Sequence, residues 1–128
     1  MTNDLHQTPN SRLAGCDAHV AQAIAALITC YEQNGKLLVC GNGGSAADAE
    51  HIVGEMMKGF CLPRCLSDTD KAQLASVAGD DAKLLGTELQ YGLAALSLVS
   101  HSALMTATAN DQDGQLIFAQ QIWGLGQT

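Results

Sequence analysis

The feature that most constrains this chain is a glycine run, Gly41-Asn42-Gly43-Gly44-Ser45, set between two segments of different periodicity. Before it, Lys36 to Cys40 holds a short apolar run, Leu37 to Cys40, with Gly35 on its other side. Short, unalternating and bounded by glycine, that run fits a buried parallel strand. After it, Ala46 to Lys58 follows a helical pattern. Strand, glycine turn and helix make half of a βαβ unit, so the expected class is α/β with a parallel sheet.

The remaining segments fit that class but leave it short of strands. Ser11 to about Asn34 reads as one long helix: Leu13, Val20, Ile24, Leu27 and Tyr31 form an apolar stripe, widened by Ala14, Ala18, Ala21, Ala25 and Ile28. Asn34-Gly35 is its stop signal. So wide an apolar face suits either an oligomer interface or burial within the same domain. Residues 1–10 are polar and read as a flexible arm before a domain spanning 11–128. A break with Pro63 covers Phe60 to Leu66. Asp70 to Gln90 has helical character interrupted around Gly79 and Gly86, and the stretch at about 62–92 reads as a helical insertion. Leu93 to Val99 is the second strand candidate, Ser102 to Ala109 a helix capped by Ser100 or Ser102, and Leu116 to Trp123 a further helix. Two strands are fewer than a doubly wound, Rossmann-like sheet needs, so the domain is expected to be incomplete, finished by partner chains or by a missing part of a longer protein.

Composition excludes several alternatives. In 128 residues there are 13 acidic and 6 basic side chains, a net charge of −7, with no basic stripe, which argues against direct nucleic-acid binding. No apolar run reaches the roughly 18 residues of a membrane span, and the N-terminus has no signal-peptide core. The five cysteines, Cys16, Cys30, Cys40, Cys61 and Cys65, read as reduced thiols, and a cytoplasmic location is expected. Cys61 and Cys65 flank Pro63 and no second pair follows, which argues against a structural zinc site.

The candidate chemistry centres on the loop. Glycines let a backbone approach a ligand closely, and the N-terminus of the following helix attracts a phosphate, a carboxylate or a sugar hydroxyl. Asn42 and Ser45 can add side-chain bonds, although the loop also reads as a plain strand-to-helix turn. It is neither the dinucleotide fingerprint nor a Walker loop. His51 and Glu55, four residues apart, share a helix face. Together they suit proton transfer beside a carbonyl, a divalent metal, or an ordinary surface pair. Asp48 and Glu50 read as partners of the helix dipole. His101 follows the second strand, where parallel sheets bind ligands, though a helix-cap or partly buried role fits equally. Asn110 and Asp111 line a site or form a turn. His6 and His19 have no supporting context.

Gly41-Asn42-Gly43-Gly44-Ser45-Ala46-Ala47-Asp48-Ala49-Glu50-His51, with Glu55 a turn later, resembles the signature of bacterial phosphoheptose isomerases. Thr106-Ala107-Thr108-Ala109-Asn110-Asp111 and Phe118-Ala119-Gln120-Gln121 are similar to that family's second segment. The resemblance covers most of Ser11 to Gly126 and implies the N-terminal portion of a sugar isomerase (SIS) domain, a parallel sheet flanked by helices and assembled as a homotetramer on its first long helix. It implies isomerisation of sedoheptulose 7-phosphate through an enediol-type proton transfer with no required cofactor. Glu55 would be the acid/base with His51 beside it. Gly41, Asn42, Gly43, Gly44, Ser45, His101, Asn110 and Asp111 would meet the phosphorylated sugar, and His51 and Glu55 would be metal ligands as in the members that hold zinc. The superfamily also implies an alternative, a non-catalytic sugar-phosphate or protein-binding regulatory module of the type that associates with the replication initiator DnaA. A degenerate product that keeps only its packing is a third reading.

Overall fold

The computed structural model describes residues 15–126. The expected arm, His6, and the start of the first helix with Leu13 and Ala14 lie outside the described residues. The chain divides into two compact units, Met1–Asn34 and Gly35–Thr128.

The first unit holds helix α1, Asp17–Glu32, with Asp17 at the positive end of its dipole. It ends where expected, but the left-handed residue at the stop is Asn34, at φ 56°, rather than the glycine after it. No residue of α1 is buried, and Val20, Ile24 and Ile28 stand exposed along its apolar stripe.

The second unit is built on two parallel strands, β1 (Leu37–Val39) and β2 (Ala95–Ser97), in the register Leu37 to Ala95, Leu38 to Leu96 and Val39 to Ser97. The ladder runs past both ends: Leu37 N–H donates to Ala94 O at 2.9 Å and Leu98 N–H to Val39 O at 2.8 Å. Helix α2, Gly44–Met57, packs against both strands. The small buried side chains Ala49 and Ala95 suit a close helix-on-sheet approach. In β2, Ala95 and Ser97 are buried while Leu96 between them is exposed, so one face of the strand is covered and the other is not. Leu98 is the largest fully buried apolar side chain. Its carbonyl accepts from Gln121 Nε2 at 2.9 Å, which fastens helix α6 (Ala119–Leu125) to the end of β2. Lys36 Nζ donates to Leu125 O at 2.9 Å and completes that attachment from the other end of the sheet segment.

Between the strands lie α3 (Asp68–Val77), a 3-10 turn at Gly79–Asp81, and α4 (Ala82–Glu88). The interruption falls at Gly79, at φ 54°, whereas Gly86 continues inside α4 without a break. α3 and α4 pack chiefly on each other. β2 is shorter than the Leu93 to Val99 run because only its middle pairs with β1. Helix α5, Ser102–Thr108, has His101 at its N-cap and no side-chain cap, so neither Ser100 nor Ser102 serves as expected. Asn110 and Asp111 extend α5 through a π-helical stretch, Ala109–Asp113, rather than forming a separate turn. A 3-10 turn at Gly114–Leu116 follows, so α6 starts later than Leu116.

The root of the α3–α4 pair is tied by one side-chain cluster. Ser67 caps α3, accepting from Asp70 N–H at 3.1 Å, while Ser67 Oγ and Tyr91 Oη both donate to Asp70 Oδ2. Ser67 N–H donates to Tyr91 Oη at 3.1 Å, and Cys65 and Gln90 form an antiparallel bridge alongside. The Ser67 and Tyr91 hydroxyls hold the Asp70 carboxyl below its ordinary value of 3.8. A depressed carboxyl contributes stability that is present above its unfolded value and lost as pH falls through its folded one. The Tyr91 ring resonances should therefore titrate with a midpoint below pH 3.8 in NMR spectra, and Asp70→Asn should remove that transition.

Candidate functional site

The site begins where β1 turns into α2. Gly41 lies so close to the first turn of the helix that a Cβ there would sit 2.5 Å from Ser45 O and 2.7 Å from Ser45 Cβ. Gly43, the N-cap, has φ 58° and ψ −126°, a conformation that side-chain-bearing residues rarely adopt. Ser45 N–H donates to Asn42 O at 3.2 Å and Ala46 N–H to Gly43 O at 3.1 Å, so the loop folds onto its own carbonyls. The amides of Gly43 and Gly44 and the side chains of Asn42 and Ser45 donate to no group among the described residues. No acidic residue lies in the first turn of α2, which leaves the positive end of its dipole open to an anion. Asp48 and Glu50 thus sit past that turn, and neither is the terminal dipole partner expected of it.

Further along α2, His51 Nε2 lies 3.8 Å from Glu55 Oε1. The imidazole is largely in solvent, at 77% exposure, while the carboxylate is 29% exposed. Glu55 Oε2 is buried without a hydrogen-bond partner among the described residues. A carboxylate with one oxygen withdrawn from water and unpaired is suited to receive a proton-bearing group.

The other expected residues are arranged less tightly. Ser100 Oγ donates to Glu50 Oε1 at 2.9 Å, joining the segment after β2, one residue before His101, to the middle of α2. His101 is exposed. Asn110 Nδ2 donates to Asp111 Oδ1 at 2.8 Å, and no hydrogen bond joins this pair to the glycine loop or to His51 and Glu55 among the described residues. Two contributors escaped the sequence reading. Ser100 looked like a helix cap, and Arg64, whose guanidinium reaches the end of α2, stands nine residues after Glu55 beyond Pro63 with no periodic signal.

As a metal site the pair is partial. His nitrogen and Glu oxygen are suitable zinc donors, but zinc takes three or four protein ligands. Among the described residues no third His, Cys, Asp or Glu joins them. No chemical step below runs through a metal.

The SIS domain family matches residues 10–74 of the chain. Among curated relatives, the phosphoheptose isomerase of Laribacter hongkongensis is 36% identical over 108 residues, covering 84% of this chain and 42% of the relative. That of an Azoarcus species is 32% identical over 124 residues, covering 97% of this chain and 50% of the relative. The solved structure of phosphoheptose isomerase GmhA from Neisseria gonorrhoeae superposes with a TM-score of 0.61 at 27% identity, covering 90% of this chain and 45% of that one. With its glycine loop opening the helix that carries His51 and Glu55, the chain belongs to the SIS domain family, and within it the chain is phosphoheptose-isomerase-like. It spans about half the length of the curated relatives it matches.

The loop geometry makes two substitutions unequal. Gly43→Ala meets nothing within 4 Å, so its penalty is that of the strained backbone alone, about 1–3 kcal/mol. Gly41→Ala carries no positive-φ penalty but must displace the Ser45 backbone, for a loss of about 3 kcal/mol or more. Urea unfolding of the two variants should rank them in that order.

Proposed function

We propose that this chain carries the acid/base portion of a phosphosugar isomerase acting on sedoheptulose 7-phosphate. The observation that carries the reading is Glu55, held on α2 with one carboxylate oxygen buried and unpartnered, on the helix that the glycine loop opens.

In a ketose–aldose isomerisation a base removes a proton from C1, beside the C2 carbonyl, and the carbonyl oxygen gains a proton, giving a 1,2-enediol. Protonation at C2 and loss of the O1 proton then leave an aldehyde at C1. Glu55 is suited to take the proton from one carbon and return it to the other. His51, exposed and 3.8 Å from Glu55, is suited to exchange protons with the oxygens. Asn42, Ser45 and the amides of Gly43 and Gly44 supply donors for the sugar's hydroxyls or an anionic group, with His101, Asn110 and Asp111 as further candidate contacts. Zinc on His51 and Glu55 would need ligands from outside the described residues. The apolar stripe of α1, with Val20, Ile24 and Ile28 exposed, supports a homotetramer assembled on that helix. Five cysteine thiols and a phosphorylated substrate fit a cytoplasmic setting.

Two measurements test the reading. Sedoheptulose 7-phosphate should raise the melting temperature of the chain, and Glu55→Gln should lower turnover by roughly 10²–10⁴-fold while leaving that shift in place. Turnover at the wild-type rate in Glu55→Gln removes the proposed role. A shift without any turnover in the wild-type protein instead favours a sugar-phosphate-binding module.

A further inference from the structure

We propose that Arg64 is a positioning residue for Glu55, an inference that rests on the reading of Glu55 as the proton-transfer group. Glu55 lies in the last turn of α2, which ends at Met57. The final carbonyls of a helix have no partners within it, so a last turn frays unless something outside holds it. α2 does not supply that hold. It has no basic residue in its last turn, and the chain leaves at Lys58 with φ −137° and ψ 165°, not through a left-handed glycine.

Arg64 fills the gap. The two N–H groups of its Nη2 are shared among three carbonyls, Met56 O at 2.8 Å, Glu55 O at 3.2 Å and Lys58 O. Leu93 N–H donates to the same Met56 carbonyl at 2.9 Å. The guanidinium stands at the negative end of the α2 dipole, where a cation is favoured. Arg64 is itself fixed, because its carbonyl accepts from Tyr91 N–H at 2.8 Å. The approach on this side is close: a Cβ on Gly92 would lie 3.0 Å from Met57 O.

The consequence falls on the carboxylate. Glu55 Oε2 has no hydrogen-bond partner among the described residues and Oε1 is 3.8 Å from His51 Nε2, so no short hydrogen bond to the carboxylate fixes its aim. Its aim is set by the backbone it hangs from, and Arg64 bonds to that backbone. Arg64 touches the carbonyl of Glu55 and not its carboxylate, so it acts on the rate through placement. A displacement of about 1 Å at a reacting group lowers a rate by up to about 10²-fold.

The test measures kcat and KM for sedoheptulose 7-phosphate in the full-length natural protein, its Glu55→Gln variant, and Arg64→Met and Arg64→Lys. Arg64→Met should lower kcat by about 10–100-fold with KM within about twofold of wild type. Arg64→Lys, which keeps the charge and can reach some of the carbonyls, should recover part of the loss. Circular dichroism confirms an unchanged folded fraction, and should Arg64→Met fail to fold, Arg64→Gln replaces it and is read the same way. Wild-type kcat in the Met or Gln variant overturns the role of Arg64 and leaves that of Glu55 standing. So does a loss matched by KM that Lys does not relieve. A wild-type protein without turnover, or Glu55→Gln at full rate, removes the Glu55 reading and this proposal with it.

Discussion

The close approach of Gly41 to Ser45 is the constraint from which the rest of the site follows. With only a hydrogen at Gly41 Cα, the chain can leave β1 and enter α2 within four residues, and a Cβ there would collide with Ser45 O at 2.5 Å. The abrupt turn fixes where α2 begins, and a helix of fixed pitch then fixes the direction of every residue on it. His51 and Glu55 share a face because they are four apart. The direction they face follows from the turn, which sets the phase of the helix. The same turn exposes the amides of Gly43 and Gly44, so the donors for a ligand and the group that would act on it come from one continuous segment.

The far end of α2 is held in a different way. The N-terminus is set by local backbone sterics, whereas the C-terminus is set by a side chain eight residues beyond Met56 and by a backbone amide from the far side of the α3–α4 pair. Arg64 and Leu93 reach its carbonyls from two different strands of chain, and Gly92 lies against it. α2 spans roughly 20 Å at 1.5 Å per residue, so these two fastenings act on opposite ends of the rod. The α3–α4 pair joins the second unit beside this C-terminal fastening, through Ser67, Asp70 and Tyr91, and not at the glycine loop.

That contrast explains what was legible in the sequence. The glycine loop, β1 and α2 could be read because each rests on near neighbours: glycine at the turn, an apolar run before it, and helical periodicity after it. The Asn34 stop of α1 was legible for the same reason. β2 was read too long because apolar content marks Leu93 to Val99 equally, while strand geometry persists only where β1 offers a partner. The π-helical stretch at Asn110 and Asp111 was read as a turn, since polar residues mark a change of backbone without saying which change. Arg64 and Gln121 were invisible. The Gln121 bond to Leu98 O joins elements that meet only in the finished fold, while the Arg64 bond to Met56 O closes an irregular loop that carries no periodic signal.

An acidic chain can still favour an anion locally. A net charge of −7 sets the far field, but the field within a few ångströms of the loop is set by what stands there. No carboxylate occupies the first turn of α2, and the acidic residues nearest in sequence begin at Asp48. Lys36 and Arg64, two of the six basic residues, are spent on backbone carbonyls at the C-terminal ends of α6 and α2. Both bonds strengthen helix ends. At the loop itself an anion would meet amide dipoles. Such an attraction acts only at contact and falls off within one turn of helix, so it discriminates by shape and hydrogen-bond geometry more than by charge. A sugar, whose hydroxyls need oriented donors as much as its phosphate needs positive potential, is the kind of ligand that this arrangement can distinguish from a bare anion.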